Sequence, residues 1–443
     1  MVETAAEQSQ GLSSEDLWDA WAVLSAEDRK SGFLLLARED QEEFFVGLAT
    51  RDQVALLLAL PPAKRRSLIR LLAPDDAADL IQAAQPEDRE ALFLLFDGPT
   101  REEVMALLAY EEDAAGGLMS TRYARVRPDM TVGEAIGYLR KQARTNLETL
   151  YYVYVLDEHQ HLLGVVSLRE LFASEPSARV KDIMHPDFLF VRADQDQESV
   201  SRVFAENNLV AVPVLDAEGR IHGIVTIDDI VDVVQEEATE DIQKMGGTEA
   251  LEAPYLAVDL VQMVKKRAGW LSALFLGEML TASAMAHFEG EIARAVVLAL
   301  FVPLIISSGG NSGSQATTIV IRAMALGELR LRDWWRVARR EVAAGITLGI
   351  ALGSIGFLRI VLWQAFTPLY GPHYKLIAMT VAGSLVGVVT FGTVAGSLLP
   401  FVLKRLGFDP ASASAPFVAT LVDVSGLVIY FTVASIILRN TLL

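Results

Sequence analysis

Hydrophobic and polar positions follow three different patterns along this chain. From residue 268 onward apolar residues run in long blocks, at 268–287, 295–321, 342–364, 376–403 and 413–438. A helix crosses the hydrocarbon core of a bilayer with about 20 such residues, so each block predicts a membrane span. Upstream of residue 119 the apolar positions fall in short Leu- and Ala-rich turns. Pro62, Pro74 and Pro86 recur there every 12 residues, and the last two open APDDAADLI and QPEDREALF. Proline followed by acids marks helix N-termini. Residues 15–115 therefore predict a stack of short helices, either a small solenoid or an ordinary bundle.

Between these regions the pattern changes to strands, and it repeats. LYYVYVLDEHQHLLGVVSLREL and LVAVPVLDAEGRIHGIVTIDDI each read strand, turn, strand, helix. Val155-Leu156-Asp157 matches Val214-Leu215-Asp216, and Gly164-Val165-Val166-Ser167 matches Gly223-Ile224-Val225-Thr226. A helix precedes each pair, at 132–142 and 196–207. Two such copies resemble a pair of CBS domains, a family that commonly binds adenine nucleotides or acts as a dimeric regulatory module. Thr226 and Asp229 fit its ribose-binding pattern, with Ser167 and Glu170 in the matching places of the first copy. An acidic helix, QEEATEDIQKM, follows and ends at Gly246-Gly247, and a second helical stretch at 255–267 leads into the first span. The predicted chain is thus multi-domain. It comprises an all-α N-terminal helical domain (1–118), an α+β CBS-domain pair (119–182 and 183–234), an acidic connecting or plug helix region (235–267) and an α-helical transmembrane domain with five spans (268–443).

Charge sharpens this division. The net charge of −19 argues against a nucleic-acid partner, because phosphate binding needs a basic surface. Residues 265–443 hold 8 acidic and 15 basic side chains, a net of +7, which leaves −26 on residues 1–264. The start, MVETAAEQSQ, has no apolar core and does not read as a signal peptide. Basic flanks lie at Lys265, Lys266 and Arg267, at Arg322, Arg330, Arg332, Arg336, Arg339 and Arg340, and at Lys404 and Arg405. All fall on one side if the N-terminal half is cytoplasmic. The expected protein is a multi-pass protein of the cell (inner or plasma) membrane, with its C-terminus outside.

The absence of cysteine removes disulfides, thiolate metal sites and cysteine nucleophiles. No catalytic constellation emerges, so the chain does not read as an enzyme. No Gly-rich run ends in Gly-Lys-Ser/Thr, which argues against an ATP-driven pump. Polar groups inside the spans carry the remaining chemistry, since a buried charge in a membrane is costly. Asp423 sits within the fifth span, with Thr420 on its face and Pro416 and Gly426 flanking it. Proline and glycine let a helix turn its carbonyls toward a cavity, and Asp423 reads as a cation-coordinating pore acid. SSGGNSGSQATT (307–318) in the second span reads as a packing interface, as pore lining, or as both. Glu278 in the first span is a second acid, for structural pairing or for the pore. Arg359 reads as a snorkelling side chain. Oxygen ligands suit hard cations such as Mg²⁺ and Ca²⁺. One Asp per chain is little charge for a divalent ion, whereas a symmetric homodimer brings two.

Acids cluster beyond the membrane half at Asp194, Asp196, Glu198, Asp228, Asp229, Asp232, Glu236, Glu237, Glu240 and Asp241. Packed like charges repel unless counter-ions lie between them. The whole order resembles the MgtE family of magnesium transporters. The motifs that carry the resemblance are YEEDAAGGLMS (110–120), the CBS repeat, EATEDI (237–242), GGNSGSQATT (309–318) and DPASASAPFVATLVDVSG (409–426). It implies a homodimeric, Mg²⁺-selective channel in the lipid bilayer whose cytoplasmic domains sense Mg²⁺ and so maintain magnesium homeostasis. Asp423 is then the pore acid, helped by carbonyls near Ala419, by Thr420, and by Gly310 and Asn311. Asp194, Asp196, Glu198, Asp228, Asp229, Asp232, Glu240 and Asp241 belong to the sensing surface, joined by Asp75, Asp76 and Asp79. Mg²⁺ is substrate and regulator, and ATP or another adenine nucleotide is the ligand implied for the CBS pair. Two other readings stand beside this one: a transporter of Co²⁺, Mn²⁺ or Ca²⁺, and a membrane-anchored CBS nucleotide sensor.

Overall fold

The structure is a computed structural model. It describes the chain apart from residues 1–12, 145–146, 252–254, 256–257, 368, 440 and 443. Two compact units divide between Gln235 and Glu236.

In the first unit, short helices run from Ser14 to Leu107: α1 Ser14–Trp21, α2 Ala26–Leu35, α3 Arg38–Gly47, α4 Thr50–Ala59, α5 Pro62–Leu68, α6 Pro74–Ala83, α7 Pro86–Phe93 and α8 Gly98–Leu107. Their ends follow local chemistry. Pro62, Pro74 and Pro86 each occupy the first helical turn, where their missing N–H costs nothing. Ser13, Ser25 and Asp97 cap α1, α2 and α8 through their side chains. Phe33, Phe44, Phe45, Leu57, Ile69 and Leu80 are almost fully buried, and their apolar cluster continues into Val191, Val200, Val212 and Ile230 of the second α/β repeat. The helical region and that repeat therefore share one core.

The two repeats have matching topology. In the first, β1 (Arg125–Val126) runs parallel to β2 (Tyr152–Leu156), which pairs antiparallel with β3 (Leu162–Ser167). In the second, β4 (Val191–Arg192), β5 (Ala211–Leu215) and β6 (Ile221–Thr226) pair in the same way, with the register slip at the same place. Helices α9 (Val132–Gln142), α10 (Leu168–Ala173), α11 (Val180–Ile183) and α12 (Gln197–Asn207) complete the units. The repeats exchange edges. Ser120 bridges to Ile224, and His185 bridges to Val165. Gly223 and Gly164 make room for this: a Cβ on either would lie 2.7 Å from the Ser120 carbonyl or 2.9 Å from the His185 carbonyl. The AAGGL run behaves similarly, since a Cβ on Gly117 would lie 2.5 Å from the Glu111 carbonyl. Helix α13 spans Ile227–Met245 without a break. The sequence pattern started the connecting helix at QEEATEDIQKM; the helix in fact begins eight residues earlier, directly after β6. Nothing in IDDIVDVV interrupts its helical periodicity, so the expected boundary at 234/235 falls inside a helix.

The second unit holds α14 (Leu260–His287), α15 (Glu289–Arg294), α16 (Val302–Ala325), α17 (Trp334–Phe366), α18 (Tyr374–Arg405) and α19 (Ala415–Ile437). By length and composition, four helical segments can cross a membrane: Val296–Ala325, Leu331–Phe366, Tyr374–Arg405 and Ala415–Ile437. They coincide with the second to fifth predicted spans. The first predicted span lies within α14, which is long but falls outside this set. Glu278 and the small polar residues around it lower its hydropathy.

Glycines bring these helices close. A Cβ on Gly313 would lie 2.9 Å from the Gly392 carbonyl, and one on Gly349 would lie 2.6 Å from Cα of Val386. The Thr317 hydroxyl donates to the Gly396 carbonyl at 2.9 Å and to the Gly313 carbonyl at 2.9 Å. Hydrophobic attraction between helices vanishes in lipid, so such backbone contact carries the packing. Gly396→Val drives a branched side chain into the Gly313 carbonyl and the Thr317 hydroxyl. It should destabilise the unit by about 3 kcal/mol, the upper range for overpacking. Gly290→Ala, where a Cβ meets open space, should stay within about 0.5 kcal/mol. Thermal melts of the two purified variants check the contrast.

Candidate functional site

In the second unit polar residues of α14 and α16 converge on α19. Asp423 is half-buried, and the Glu278 carboxyl of α14 lies close enough to act on it electrostatically. A Cβ on Gly277 would lie 2.9 Å from the Thr420 methyl, which shows how closely α14 and α19 approach one turn away. Gly310 of α16 faces Ala419, with a built Cβ 3.5 Å from that residue's own. Gly310, Ala419, Thr420 and Asp423 are thus brought together, and Glu278, left open by the sequence, joins them. Asn311 is exposed beside Gly310, with its amide 3.5 Å from the Ser307 hydroxyl. Ser307, Asn311, Gln315 and Thr318 form an exposed polar stripe along α16 at helical spacing.

The expected opening of α19 at Pro416 and Gly426 is not realised. Pro416 lies in the first turn, which tolerates it. Ser314 donates to the Ala415 carbonyl at 3.2 Å, and Thr420 donates to the Pro416 carbonyl at 3.1 Å. Gly426 is buried against Val388. Upstream, Lys244 of α13 donates to Glu240 at 2.5 Å and to Asp409 at 2.7 Å. Burial alone would lower the Lys244 pKa, yet its two carboxylate bonds raise it. The Trp270 indole donates to Ser414, the N-cap of α19, at 3.2 Å. Gly247 sits against Trp270 and Pro416 with positive φ, where a side chain would be strained and would clash.

In the first unit the acids divide into paired and unpaired groups. Asp194 pairs with Arg192 at 3.0 Å and Glu198 with Arg202 at 2.9 Å, while Asp196 caps α12. These pairings supply cations that the acid count alone did not reveal. A different set crowds together: Asp75, Asp76, Glu148, Asp228 and Asp229 are linked by electrostatic repulsion, and Asp232 joins them through Asp76. Asp75 is buried (6% exposed), and its Oδ1 has no hydrogen-bond partner among the described residues. Its pKa is pushed well up, first by burial and then by Glu148, Asp229 and Asp76. Asp229 is raised to about 8 by burial and by Asp228, against a lowering bond from Thr226. Glu148 and Asp76 are also raised, chiefly by loss of water. Asp79 lies one turn beyond Asp75 on α6 and makes a contact of its own, as does Asp241 on α13. Glu148 was not found from the sequence, because it stands alone in a loop before β2 with no motif around it. Among the described residues no three acidic or imidazole groups are spaced to ligate a bare metal ion.

Thr226 is buried, and its hydroxyl donates to Asp229 at 2.9 Å. Ser167 and Glu170 stand in the matching places of the first repeat and form a capping box, with the Ser167 hydroxyl 2.7 Å from Glu170. Helix capping accounts for the Ser167–Glu170 pair.

Family models cover most of the chain. A divalent cation transporter domain matches residues 302–433, an MgtE intracellular N domain matches 12–113, and CBS domains match 115–175 and 180–236. The chain is 44% identical to a magnesium transporter MgtE of Thermus thermophilus over 345 residues, which covers 78% of this chain and 74% of that protein. It is 34% identical to the MgtE of Enterococcus faecalis, over 76% of this chain and 72% of the relative. A crystal structure of the cytosolic domain of the Mg²⁺ channel MgtE in complex with ATP aligns at 43% identity and a TM-score of 0.47, covering 50% of this chain and 90% of that one. By the extent of the family models and the identity to these relatives, the chain belongs to the MgtE family of divalent cation transporters.

Proposed function

We propose that this chain carries Mg²⁺ down its electrochemical gradient across a membrane and that its acidic first unit regulates the passage. The family is one of transporters, not enzymes. The observation that carries the reading is the meeting of Asp423 and Glu278 beside Gly310 and Ala419. Two carboxylates held among small residues attract a divalent ion and leave room for its waters. In this reading α14 crosses the membrane as a fifth span, and Glu278 is the reason its hydropathy falls short. A second copy of the chain covers the polar stripe of α16 and doubles the acids, which gives a homodimeric path. The basic flanks place the first unit in the cytoplasm and the C-terminus outside. A divalent ion then gains about 4.6 kcal/mol per 100 mV on entry, twice the single-charge value. Flux of Mg²⁺ into proteoliposomes, measured against competing Co²⁺, Mn²⁺ and Ca²⁺, tests the substrate. Preference for one of those ions would replace Mg²⁺ in this reading.

Gating follows from charge. At high Mg²⁺ hydrated ions offset the repulsion among Asp75, Asp76, Glu148, Asp228, Asp229 and Asp232, and the compact arrangement closes the path. At low Mg²⁺ the repulsion returns and the path opens. Ligand acts only through its preference for the compact state. Lys244 extends the argument, because its bonds to Glu240 and Asp409 tie α13 to the segment that leads into α19. Lys244→Met keeps the aliphatic stem but removes both bonds. Flux at millimolar Mg²⁺ should rise several-fold, as expected for loss of a pair worth about 1 kcal/mol. Unchanged flux would remove this tie from the gate. An adenine nucleotide at the CBS pair is the second ligand of this reading. Isothermal titration of the purified protein with ATP tests it, and absence of heat would leave Thr226 and Asp229 as a hydrogen-bonded pair alone.

A further inference from the structure

The N-terminal end of α17 gathers positive charge beyond what membrane orientation requires. Arg332, Arg336, Arg339 and Arg340 line one cavity of about 540 Å³ together with Asp333 and Trp335. The spacing places these arginines on one face of the helix start, while Val337 and Ala338 are buried on the other. Asp333 is the only acid in that lining, and it is already engaged. It accepts the Arg330 backbone N–H at 3.1 Å and the Arg336 guanidinium at 3.3 Å. Arg332, Arg339 and Arg340 have no ion pair among the described residues; Glu341 attracts Arg340 from the next position along. Asp333 offsets one of the four guanidiniums and Glu341 attracts a second, so the cavity keeps an excess of positive charge that an anion would offset.

What lies around the cavity indicates which anion. It stands at the end of the apolar segment Leu331–Phe366, at the depth of lipid headgroups. Trp334 and Trp335 are 50% and 59% exposed, with ring centroids 5.5 Å apart. Exposed indoles at a span end occupy the headgroup layer, where an apolar body and a polar N–H are both satisfied. Guanidinium forks match phosphate geometry. We propose that this cavity holds the phosphate of an anionic phospholipid, with Trp334 and Trp335 lying beside its glycerol and upper acyl chain. By the orientation given above the lipid belongs to the cytoplasmic leaflet.

The test uses the full-length protein in vesicles of phosphatidylcholine doped with brominated phosphatidylglycerol or with brominated phosphatidylcholine. Bromine quenches nearby indoles, and the difference between wild type and Trp335→Phe isolates Trp335. Quenching by the anionic lipid should half-saturate at about tenfold lower mole fraction than by the zwitterionic one, as expected for a few uncompensated basic residues at a surface. The combined variant Arg332→Gln, Arg336→Gln, Arg339→Gln should lose that difference. Equal quenching by the two lipids in wild type overturns the proposal without reference to any variant. Millimolar inorganic phosphate should leave the quenching unchanged. If it abolishes the preference, the site takes a free phosphate and the lipid assignment falls.

Discussion

Asp423→Asn should reduce Mg²⁺ uptake into proteoliposomes by roughly 100-fold or more while leaving a folded dimer. Loss of a mere outer-shell partner costs about 10–100-fold in metal affinity, and Asp423 is proposed as the acid nearest the ion itself. The isosteric amide keeps shape and packing against α14 but removes the charge. Glu278→Gln should give a smaller loss, because Asp423, the acid proposed to lie nearest the ion, survives in each chain. The ratio of the two effects is informative: equal losses would mean that the ion needs both acids at once. The readouts are a fluorescent Mg²⁺ indicator inside the vesicles and the mass of the detergent-solubilised protein by light scattering. Wild-type flux in Asp423→Asn would exclude Asp423 from the path. A monomer with no flux would instead assign it a structural role at the α14–α19 contact.

The sequence conveyed periodicity well and partnership poorly. Pro62, Pro74 and Pro86 predicted helix starts because proline fixes its own φ, a property that no distant contact alters. The doubled strand-turn-strand pattern predicted two matching sheets because alternation is a local signal. Glu278 next to Asp423, and Glu148 next to Asp75 and Asp229, required knowing which elements touch. Asp194 and Glu198 illustrate the reverse: their acid count suggested a free sensing surface, yet Arg192 and Arg202, two and four residues away in the chain, pair with them. Pro416 and Gly426 misled for a related reason. Both residue types can open a helix, but position decides: the first turn for Pro416, and a tight contact with Val388 for Gly426. The helix that closes the second repeat and the acidic helix QEEATEDIQKM, which the pattern separates, are one continuous α13, because no Gly or Pro stands between them.

The acid cluster of the first unit should make stability depend on pH and on Mg²⁺ in linked ways. Asp75, Asp76, Glu148 and Asp229 all have pKa values raised in the folded state. A carboxyl raised on folding binds its proton more tightly when folded. The resulting stability is fully present below the unfolded value, near pH 4, and is lost as pH rises through the folded value. With Asp229 at about 8, that loss extends to pH 8. Without divalent ions the first unit should therefore become less stable between about pH 5 and pH 8, by several kcal/mol in order of magnitude. Mg²⁺ replaces the protons, so its stabilising effect should be larger at pH 8 than at pH 6 and should reach about 2.7 kcal/mol at a hundredfold excess over Kd. Asp75→Asn with Asp229→Asn should do three things together: stabilise the metal-free protein at pH 8, flatten the pH dependence, and remove the response to Mg²⁺. By the same argument the variant should keep the path closed at low Mg²⁺, because the repulsion that opens it is relieved. Protease protection of the first unit in the full-length protein and flux at low and at millimolar Mg²⁺ give the two readouts. A variant that keeps Mg²⁺-dependent protection would place the sensing ions elsewhere. One that loses that dependence but still opens at low Mg²⁺ would separate ion binding at this cluster from the gate.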